Sequence, residues 1–296
     1  MLQANTELEM GTLGSSRRSR EPERRPFARA GASLGAGLGL ILPALLFIVW
    51  TVATARQWVA PQILPAPGTV GETLVEQLKS GDLLTNIGIS LARVTGGFLV
   101  GGALGLLLGV AMGLSRTVED YLHPTFKAIS QVPVLGWLPL AMMFLGIGES
   151  LKVAIIAHAS LVPVALNTLK GIRGVSRNYV DVARVFSFSR WQLLRKVVLP
   201  GAVPGMFVGI RYGITQAWLS LVTVELLASS EGVGFMIVWG RQLFQLDLVL
   251  TAILVVGLVG LAIDKGLALL EARLLRWRPE ANLDGPAQPG AAGGAS

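Results

Sequence analysis

The feature that most constrains the fold of this chain is a series of long, largely apolar runs. A helix needs about 20 consecutive apolar residues to cross the hydrocarbon core of a bilayer. Only 15% of the chain is charged, whereas about a quarter of a typical soluble domain is. The sequence therefore predicts an all-α polytopic membrane protein with about six transmembrane helices. The predicted spans are residues 34–53, 91–114, 131–147, 151–169, 203–228 and 248–270.

Basic residues cluster in segments that flank these runs. Cytoplasmic flanks are rich in Lys and Arg, so the arginine-rich start, the segment after residue 114, the insert at 177–201 and the C-terminal end are assigned to the cytoplasm, with both termini inside. The net charge of +7 is explained in this way without a nucleic-acid partner. The predicted divisions are a disordered basic tail (1–33), a transmembrane domain (34–278) and a disordered C-terminal tail (279–296).

The first apolar run has two interpretations. Ala53-Thr54-Ala55 resembles a signal-peptide cleavage site. However, the apolar core of a signal peptide holds about 7–15 residues, and this run is longer. We favour an uncleaved first helix.

Several kinds of chemistry are absent from the sequence. There are no cysteines, which excludes disulfides and thiolate ligands. His123 and His158 are the only histidines, and nothing pairs them as metal ligands. No phosphate-binding loop and no nucleophile motif of the Gly-x-Ser-x-Gly type occurs. We predict no catalytic residue, no metal and no cofactor bound by this chain.

The second span carries glycines at every fourth position, which predicts close approach of a neighbouring helix. The third span contains prolines, which predict either a broken helix beside a transport pathway or a packing kink. The glycines are Gly97, Gly101, Gly105, Gly109 and Gly113, and the prolines are Pro133 and Pro139.

The ionisable residues singled out inside predicted spans are Arg93, Arg211, Glu225 and Asp264. A charge at the centre of a membrane helix costs about 2.5–3.5 kcal/mol on insertion scales, so each is a functional candidate. Arg211 is placed to attract an anionic substrate. The alternative is that the arginines reach the interface from span ends and Glu225 faces the outer interface.

The insert Arg177 to Gly201 is polar and amphipathic. Asn178 is predicted to cap a short helix through Phe186, with Asp181 in its first turn. Ser189 and Gln192 form a predicted capping box that opens a second helix, and Pro200-Gly201 is expected to end it. An amphipathic helix on the membrane surface is the alternative.

This helix-turn-helix resembles the cytoplasmic coupling loop of ABC importer permeases that depend on a binding protein. The family signature is Glu-Ala-Ala, a Gly four residues later and an Ile-x-Leu-Pro end. Here the insert reads Asp181-Val182-Ala183, then Ser187, then Val197-Val198-Leu199-Pro200, so Asp, Val and Ser replace Glu, Ala and Gly.

Further stretches are similar to the aliphatic sulfonate, taurine, nitrate and bicarbonate permeases within that family. They include Trp137-Leu138-Pro139-Leu140, Phe144 to Glu149, Gly209-Ile210-Arg211-Tyr212 with Trp218, Val224-Glu225 and Gly232-Val233-Gly234-Phe235. Leu275-Arg276-Trp277-Arg278-Pro279 is most similar to the sulfonate branch.

The resemblance implies a type I importer permease fold in the bacterial inner membrane. It implies a homodimer, separate ATPase subunits that hold ATP and Mg²⁺ on the cytoplasmic face, and a binding protein outside. The expected cargo is a small anion, with aliphatic sulfonates favoured over taurine, nitrate or bicarbonate. The expected ATPase contacts are Asp181, Ala183, Ser187 and Phe188, and the expected path residues are Pro133, Trp137, Arg211, Trp218 and Glu225. An ion-gradient-driven secondary transporter, with Glu225 as the acidic carrier, is the alternative from another class.

Overall fold

The computed structural model describes residues 28–276, with side chains described from residue 41. Within that range every regular element is helical. A four-residue 3₁₀ turn (Val134–Trp137) precedes α5, and a π turn (Leu194–Val198) joins α8 to α9. The helices are α1 (Ala28–Ala55), α2 (Pro67–Ser80), α3 (Asp82–Leu114), α4 (Arg116–Ser130), α5 (Leu138–Leu145), α6 (Glu149–Arg173), α7 (Arg177–Val185), α8 (Arg190–Leu193), α9 (Leu199–Ala228), α10 (Val233–Gln242) and α11 (Leu246–Leu274).

The chain divides into two compact units between Ala53 and Thr54, close to the end of α1. The helix begins at Ala28, six residues before the predicted first span. The remainder of the predicted N-terminal tail lies outside the described residues, and so does the whole predicted C-terminal tail (279–296), because the description ends at residue 276.

Four described stretches are long and apolar enough to cross a membrane: 82–114, 149–173, 190–242 and 246–274. They contain the second, fourth, fifth and sixth predicted spans. The described part of the first run, Ile41–Ala55, is shorter than a full span. The helical membrane fold is therefore as predicted, while the count in the described residues is four, or five if the bent pair described next is one span.

The third predicted span does not form one helix of spanning length, and the chain bends sharply where that span begins. Helix α4 meets the 3₁₀ turn and α5 at 89°. Pro133 lies at the bend and Pro139 in the first turn of α5. Proline is tolerated in a first helical turn because the N–H groups there make no hydrogen bond within the helix. The break therefore falls where the first proline removes a donor, and α5 is too short to span a bilayer alone.

Helices α3, α6 and α9 form the centre of the second unit. Glycines of α3 meet α6 in matching order, from Gly97 against Ile156 to Gly113 against Ile172, so these two helices run parallel. Helix α9 runs the opposite way, because Gly205 near its start lies on Gly171 near the end of α6. The chain returns between the parallel pair through α4 and α5.

Each glycine of the α3 stripe lies against α6. A Cβ added to Gly97 would lie 2.5 Å from Cγ2 of Ile156, and one added to Gly105 would lie 2.6 Å from the Leu161 carbonyl oxygen. Real Cβ atoms do not approach other heavy atoms this closely. Small residues let two backbones meet in this way, and any side chain on the stripe would push α3 away from α6.

A second apolar cluster joins α3, α10 and α11. Leu83, Val233, Met236, Leu248 and Ala252 are buried together. Helix α2 is tied to α11 by polar contacts, since the Thr73 hydroxyl donates to an Asp247 carboxylate oxygen at 2.6 Å and the Thr251 hydroxyl donates to the Val70 carbonyl at 3.2 Å. Helix α2 is thus part of the packed unit.

The predicted helix end at Pro200-Gly201 is wrong. Pro200 lies in the first turn of α9, which continues to Ala228. A proline is tolerated in a first helical turn because the N–H it lacks is unpaired there anyway. The π turn before it closes its hydrogen bonds over one extra residue, and it connects α8 to α9 without reversing the chain.

Candidate functional site

The insert forms an exposed helical turn between α6 and α9. Its first helix, α7, begins after Ser176, and Ser176 makes no side-chain capping bond. The predicted cap at Asn178 is therefore wrong, and Asp181 lies beyond the first turn. Both Ser and Asn suit a cap. Helix α7 nevertheless begins at Arg177, because α6 ends only a few residues earlier and the Ser176 carbonyl already accepts from the Tyr179 N–H at 3.1 Å.

Helix α7 ends in a Schellman motif centred on Ser187. The Phe188 N–H donates to the Ala183 carbonyl at 3.0 Å and the Ser187 N–H donates to the Arg184 carbonyl at 2.8 Å. Ser187 has φ of +55°, the left-handed conformation that this motif requires and that glycine usually supplies. Ser187, which stands where the family signature has glycine, thus adopts the left-handed conformation.

The second helix of the insert begins as the sequence predicts. The Ser189 hydroxyl accepts from the Gln192 N–H at 3.3 Å, and the Gln192 side chain accepts from the Ser189 N–H at 2.9 Å. This capping box is confirmed. Together with the Schellman motif it fixes the turn between α7 and α8 from both sides.

The exposed face of this turn is apolar. Val185 is 83% and Phe186 72% exposed, and Val182 is also exposed. Ala183, by contrast, is 3% exposed and faces the chain itself. Asp181 is exposed and pairs with Arg184 at 3.2 Å. Of the four predicted ATPase contacts, Asp181 and Ser187 are exposed, Phe188 is half-buried with the Lys196 ammonium 5.4 Å from its ring centre, and Ala183 is buried.

A network of ion pairs lies at the opposite end of α6 and α9. Arg93 of α3 is 5% exposed. Its Nε and Nη2 donate to the two oxygens of Glu149 at 2.8 and 2.6 Å, and its Nη1 donates to Glu225 at 2.8 Å and to the Glu231 carbonyl at 2.8 Å. The Arg93 side chain is therefore buried and paired, which does not fit the alternative that it extends to the membrane interface.

Glu225 is the most enclosed acid of the network, at 1% exposure. Besides Arg93, its carboxylate accepts from the Ser90 hydroxyl at 2.8 Å and from the Gly234 N–H at 2.9 Å. Ser90 in turn accepts from the Val233 N–H at 3.0 Å. One carboxylate thus connects α3, α9 and the start of α10. The alternative that Glu225 faces an outer interface does not fit this burial.

Glu149 and Lys152 belong to the same network and were not singled out from the sequence. The Lys152 ammonium, buried in α6, donates to a Glu149 oxygen at 2.7 Å. The pair is spaced i, i+3 directly after the turn Gly146-Ile147-Gly148. That spacing was the available signal, since two opposite charges three residues apart share one helix face.

Arg211 lies in a separate group on α9 and α11. It donates to Asp264 at 2.8 Å and to Glu271 at 3.2 Å, and all three side chains are partly exposed. Asp264, the fourth predicted intramembrane charge, is thereby accounted for. Because two carboxylates surround one guanidinium, this group does not present a free cation to an anion.

The remaining predicted path residues lie in different packing clusters. Trp218 is buried with Val94, Ile156 and Leu221 between α3, α6 and α9. Trp137 packs edge-on against His158, with ring centres 5.7 Å apart, and its buried Nε1 has no hydrogen-bond partner among the described residues. The structure does not gather Pro133, Trp137, Arg211, Trp218 and Glu225 into one site. Within residues 41–276, no cluster of three His, Asp or Glu side chains is arranged to hold a metal ion.

Comparison with known sequences gives one family over most of the chain. Residues 101–276 match the family described as "Binding-protein-dependent transport system inner membrane component". A Bacillus subtilis protein that bears the name aliphatic sulfonates transport permease protein SsuC is 40% identical over 240 residues, or 81% of this chain and 87% of that protein. The Escherichia coli protein of the same name is 36% identical over 82% of this chain and 92% of its own length.

A third relative carries a different substrate in its name. The taurine transport system permease protein TauC of Escherichia coli is 35% identical over 81% of this chain and 88% of its own length. Among solved structures, the crystal structure of an amino acid ABC transporter with histidines matches with a TM-score of 0.58 at 17% identity, over 68% of this chain and 98% of that one. The helical arrangement is that of an ABC importer permease.

Proposed function

The chain belongs to the family of inner membrane components of binding-protein-dependent transport systems, and from that premise we propose how it works. It is a transport subunit of the ABC importer class in the inner membrane, not an enzyme. In the proposal, two copies form the path, separate ATPase subunits bind ATP and Mg²⁺ on the cytoplasmic side, and a soluble binding protein delivers the substrate outside. The chain itself holds no cofactor.

The observation that carries the coupling proposal is the exposed apolar face of the turn between α7 and α8. Val182, Val185 and Phe186 are exposed on a polar segment, and a contiguous apolar patch rimmed by charges is typical of a docking surface. The Schellman motif and the capping box hold the turn rigid. Movement of a docked subunit is therefore transmitted through the π turn to α9. The docking contacts are then Val182, Val185 and Phe186, with Asp181, Ser187 and Phe188 beside them.

The proposed orientation places this turn in the cytoplasm. Arg177, Arg184, Arg190, Arg195 and Lys196 surround it, and cytoplasmic flanks carry such an excess of positive charge. The network of Arg93, Glu149 and Glu225 then lies at the extracytoplasmic end, and both termini are cytoplasmic.

The proposed cargo is a small anion, with aliphatic sulfonates as the first choice. Two relatives at 40% and 36% identity bear that substrate in their names. Taurine, which also carries a sulfonate group, is the second choice, supported by a relative at 35% identity.

The proposal is tested by purifying the tagged chain from its native membrane in mild detergent and quantifying the proteins that accompany it. We expect an ATPase subunit in a one-to-one ratio with this chain. Uptake of ethanesulfonate into proteoliposomes that hold the purified complex and its binding protein should then require ATP inside and should persist when the proton gradient is collapsed.

The opposite result would favour a gradient-driven transporter. Recovery of this chain alone, from membranes in which other ABC complexes remain intact, together with uptake that stops when the proton gradient is collapsed, would contradict the proposal. Both carboxylate oxygens of Glu225 already accept hydrogen bonds from the protein, which argues against the use of Glu225 as a proton carrier.

A further inference from the structure

Two buried cations share one exposed carboxylate at the end of the molecule opposite the α7–α8 turn. Arg93 is 5% and Lys152 4% exposed, whereas the Glu149 side chain between them is 61% exposed. Ordinarily the charge that is buried has a buried partner, because desolvated charges are costly unless they are paired. Here Arg93 has such a partner in Glu225, whereas Glu149, the acceptor that Arg93 and Lys152 share, is at the surface.

We propose that Arg93 and Lys152 form a seat for a singly charged oxyanion, and that Glu149 occupies this seat until the anionic group of a substrate replaces it. The inference rests on the proposed function, since it assigns the transported anion its first binding site in this chain.

The geometry of the Glu149 carboxylate shows what the seat accepts. Arg93 offers Nε and Nη2 side by side, at 2.8 and 2.6 Å from two different oxygens, and Lys152 adds a third donor at 2.7 Å. A guanidinium fork of this kind binds planar or tetrahedral oxyanions through two parallel hydrogen bonds. A sulfonate presents two oxygens to the fork and keeps one for the ammonium group.

The charges of the network set the charge of the ligand. Glu225, almost fully buried, remains hydrogen-bonded to Arg93 Nη1 at 2.8 Å and balances that cation. Among the described carboxylates, Glu149 is the one paired with Lys152. Removing Glu149 from the seat therefore leaves one uncompensated positive charge, which a monoanion neutralises and a dianion overcompensates.

Glu149 has room to leave the seat. It follows Gly146 and Gly148, and a Cβ added at either glycine would have no neighbour within 4 Å. The turn before Glu149 thus borders open space, so the side chain can rotate outward without displacing packed groups. In the proposed orientation this is the side on which a binding protein releases its ligand.

The seat is tested by direct binding of ³⁵S-ethanesulfonate to the complete transport complex in nanodiscs, without the binding protein. Glu149→Gln removes the internal competitor and keeps the side-chain volume. If Glu149 fills the wild-type seat about nine-tenths of the time, its removal tightens ethanesulfonate binding about tenfold. Adding Lys152→Met to Glu149→Gln should abolish that gain, whereas adding Lys79→Met, which removes an exposed lysine of α2, should preserve it.

Competition experiments distinguish the seat from general attraction of anions. Methanesulfonate should displace the probe, whereas sulfate at equal ionic strength and the neutral ethyl methyl sulfone should not. Unchanged binding in Glu149→Gln, a gain that survives Lys152→Met, or displacement by sulfate as effective as by methanesulfonate would each overturn the inference. Wild-type complex that fails to import ethanesulfonate with ATP and binding protein would instead contradict the proposed function, and the binding measurements on nanodiscs would still decide the seat.

Discussion

The two ends of the central helices differ in whether their polar side chains are buried and paired. At one end, Arg93 and Glu225 are buried together and Ser90, Gly234 and the Glu231 carbonyl complete their hydrogen bonds. At the other end, the α7–α8 turn leaves charged and apolar side chains exposed around a rigid backbone. The buried polar groups of the first end are hydrogen-bonded within the chain and support its fold. The second end presents a surface whose apolar side chains remain exposed.

The largest expected effect comes from breaking the buried end. Glu225→Ala leaves the Arg93 guanidinium, the Ser90 hydroxyl and the Gly234 N–H short of an acceptor. Loss of one partner from a buried ion pair costs about 3–5 kcal/mol. We expect a marked fall in the melting temperature of the detergent-purified protein, or loss of its monodisperse fraction.

The matched substitution at the other end is Asp181→Ala. Asp181 also pairs with an arginine, Arg184, but both side chains are exposed. Exposed pairs contribute about 0–1 kcal/mol, so the melting temperature should change little. Equal destabilisation by Asp181→Ala and Glu225→Ala would contradict the distinction between the two ends.

The second expected effect concerns docking rather than folding. Phe186→Asp places a charge on the exposed apolar face of the α7–α8 turn and leaves the buried contacts of the chain unchanged. Aromatic anchors of an interface contribute more than about 1.4 kcal/mol, a tenfold change in affinity. At least about tenfold less ATPase subunit should accompany the variant in quantitative mass spectrometry.

The control is another exposed phenylalanine, at the opposite end. Phe244, between α10 and α11, is 89% exposed, and Phe244→Asp should leave recovery of the ATPase subunit unchanged. A Phe186→Asp variant that retains a full complement of ATPase would show that this face is not the docking surface.

Sequence patterns predicted the elements of the fold better than the contacts between them. The apolar runs indicated the helices of four spanning stretches, because a membrane helix is recognised from length and hydropathy alone. The glycines of α3 indicated a close neighbour, but not that α6 runs parallel to α3. Pro200 was misleading because the π turn before it is visible only in the backbone.

The pairing of charges illustrates the limit of sequence reasoning. Arg93 and Glu225 are separated by 132 residues, and the sequence around either residue does not indicate which residue it pairs with. Arg211 and Asp264 were likewise recognised as costly charges, but their mutual neutralisation depends on how α9 packs on α11. Lys152 was overlooked because it lies one residue inside a predicted span end. Such contacts are tertiary, and a single sequence contains no direct record of them.

The third expected effect is the loss of a helix cap at the exposed end. Ser189→Ala removes the hydroxyl that accepts from the Gln192 N–H. Loss of a serine cap costs about 1 kcal/mol, and because the turn is exposed, this loss should show as faster hydrogen exchange in residues 189–193 rather than as global unfolding. Ser189→Asp, which keeps a capping oxygen, should exchange at the wild-type rate. Faster exchange in Ser189→Asp as well would show that the cap is not what orders this helix.

The smallest expected effect is a gain in stability from Ser187→Gly. A residue with a Cβ in the left-handed conformation costs about 1–2 kcal/mol, and glycine removes this cost at the φ of +55° that the Schellman motif requires. Glycine also increases the conformational entropy of the unfolded chain, which opposes the gain by about 0.4–1 kcal/mol. The difference should leave a gain of about 0–1.6 kcal/mol, measured as slower hydrogen exchange in residues 183–188. Ser187→Ala keeps the Cβ and should show no such gain. If Ser187→Gly instead speeds exchange, the serine hydroxyl contributes a contact that outweighs the strain of its backbone.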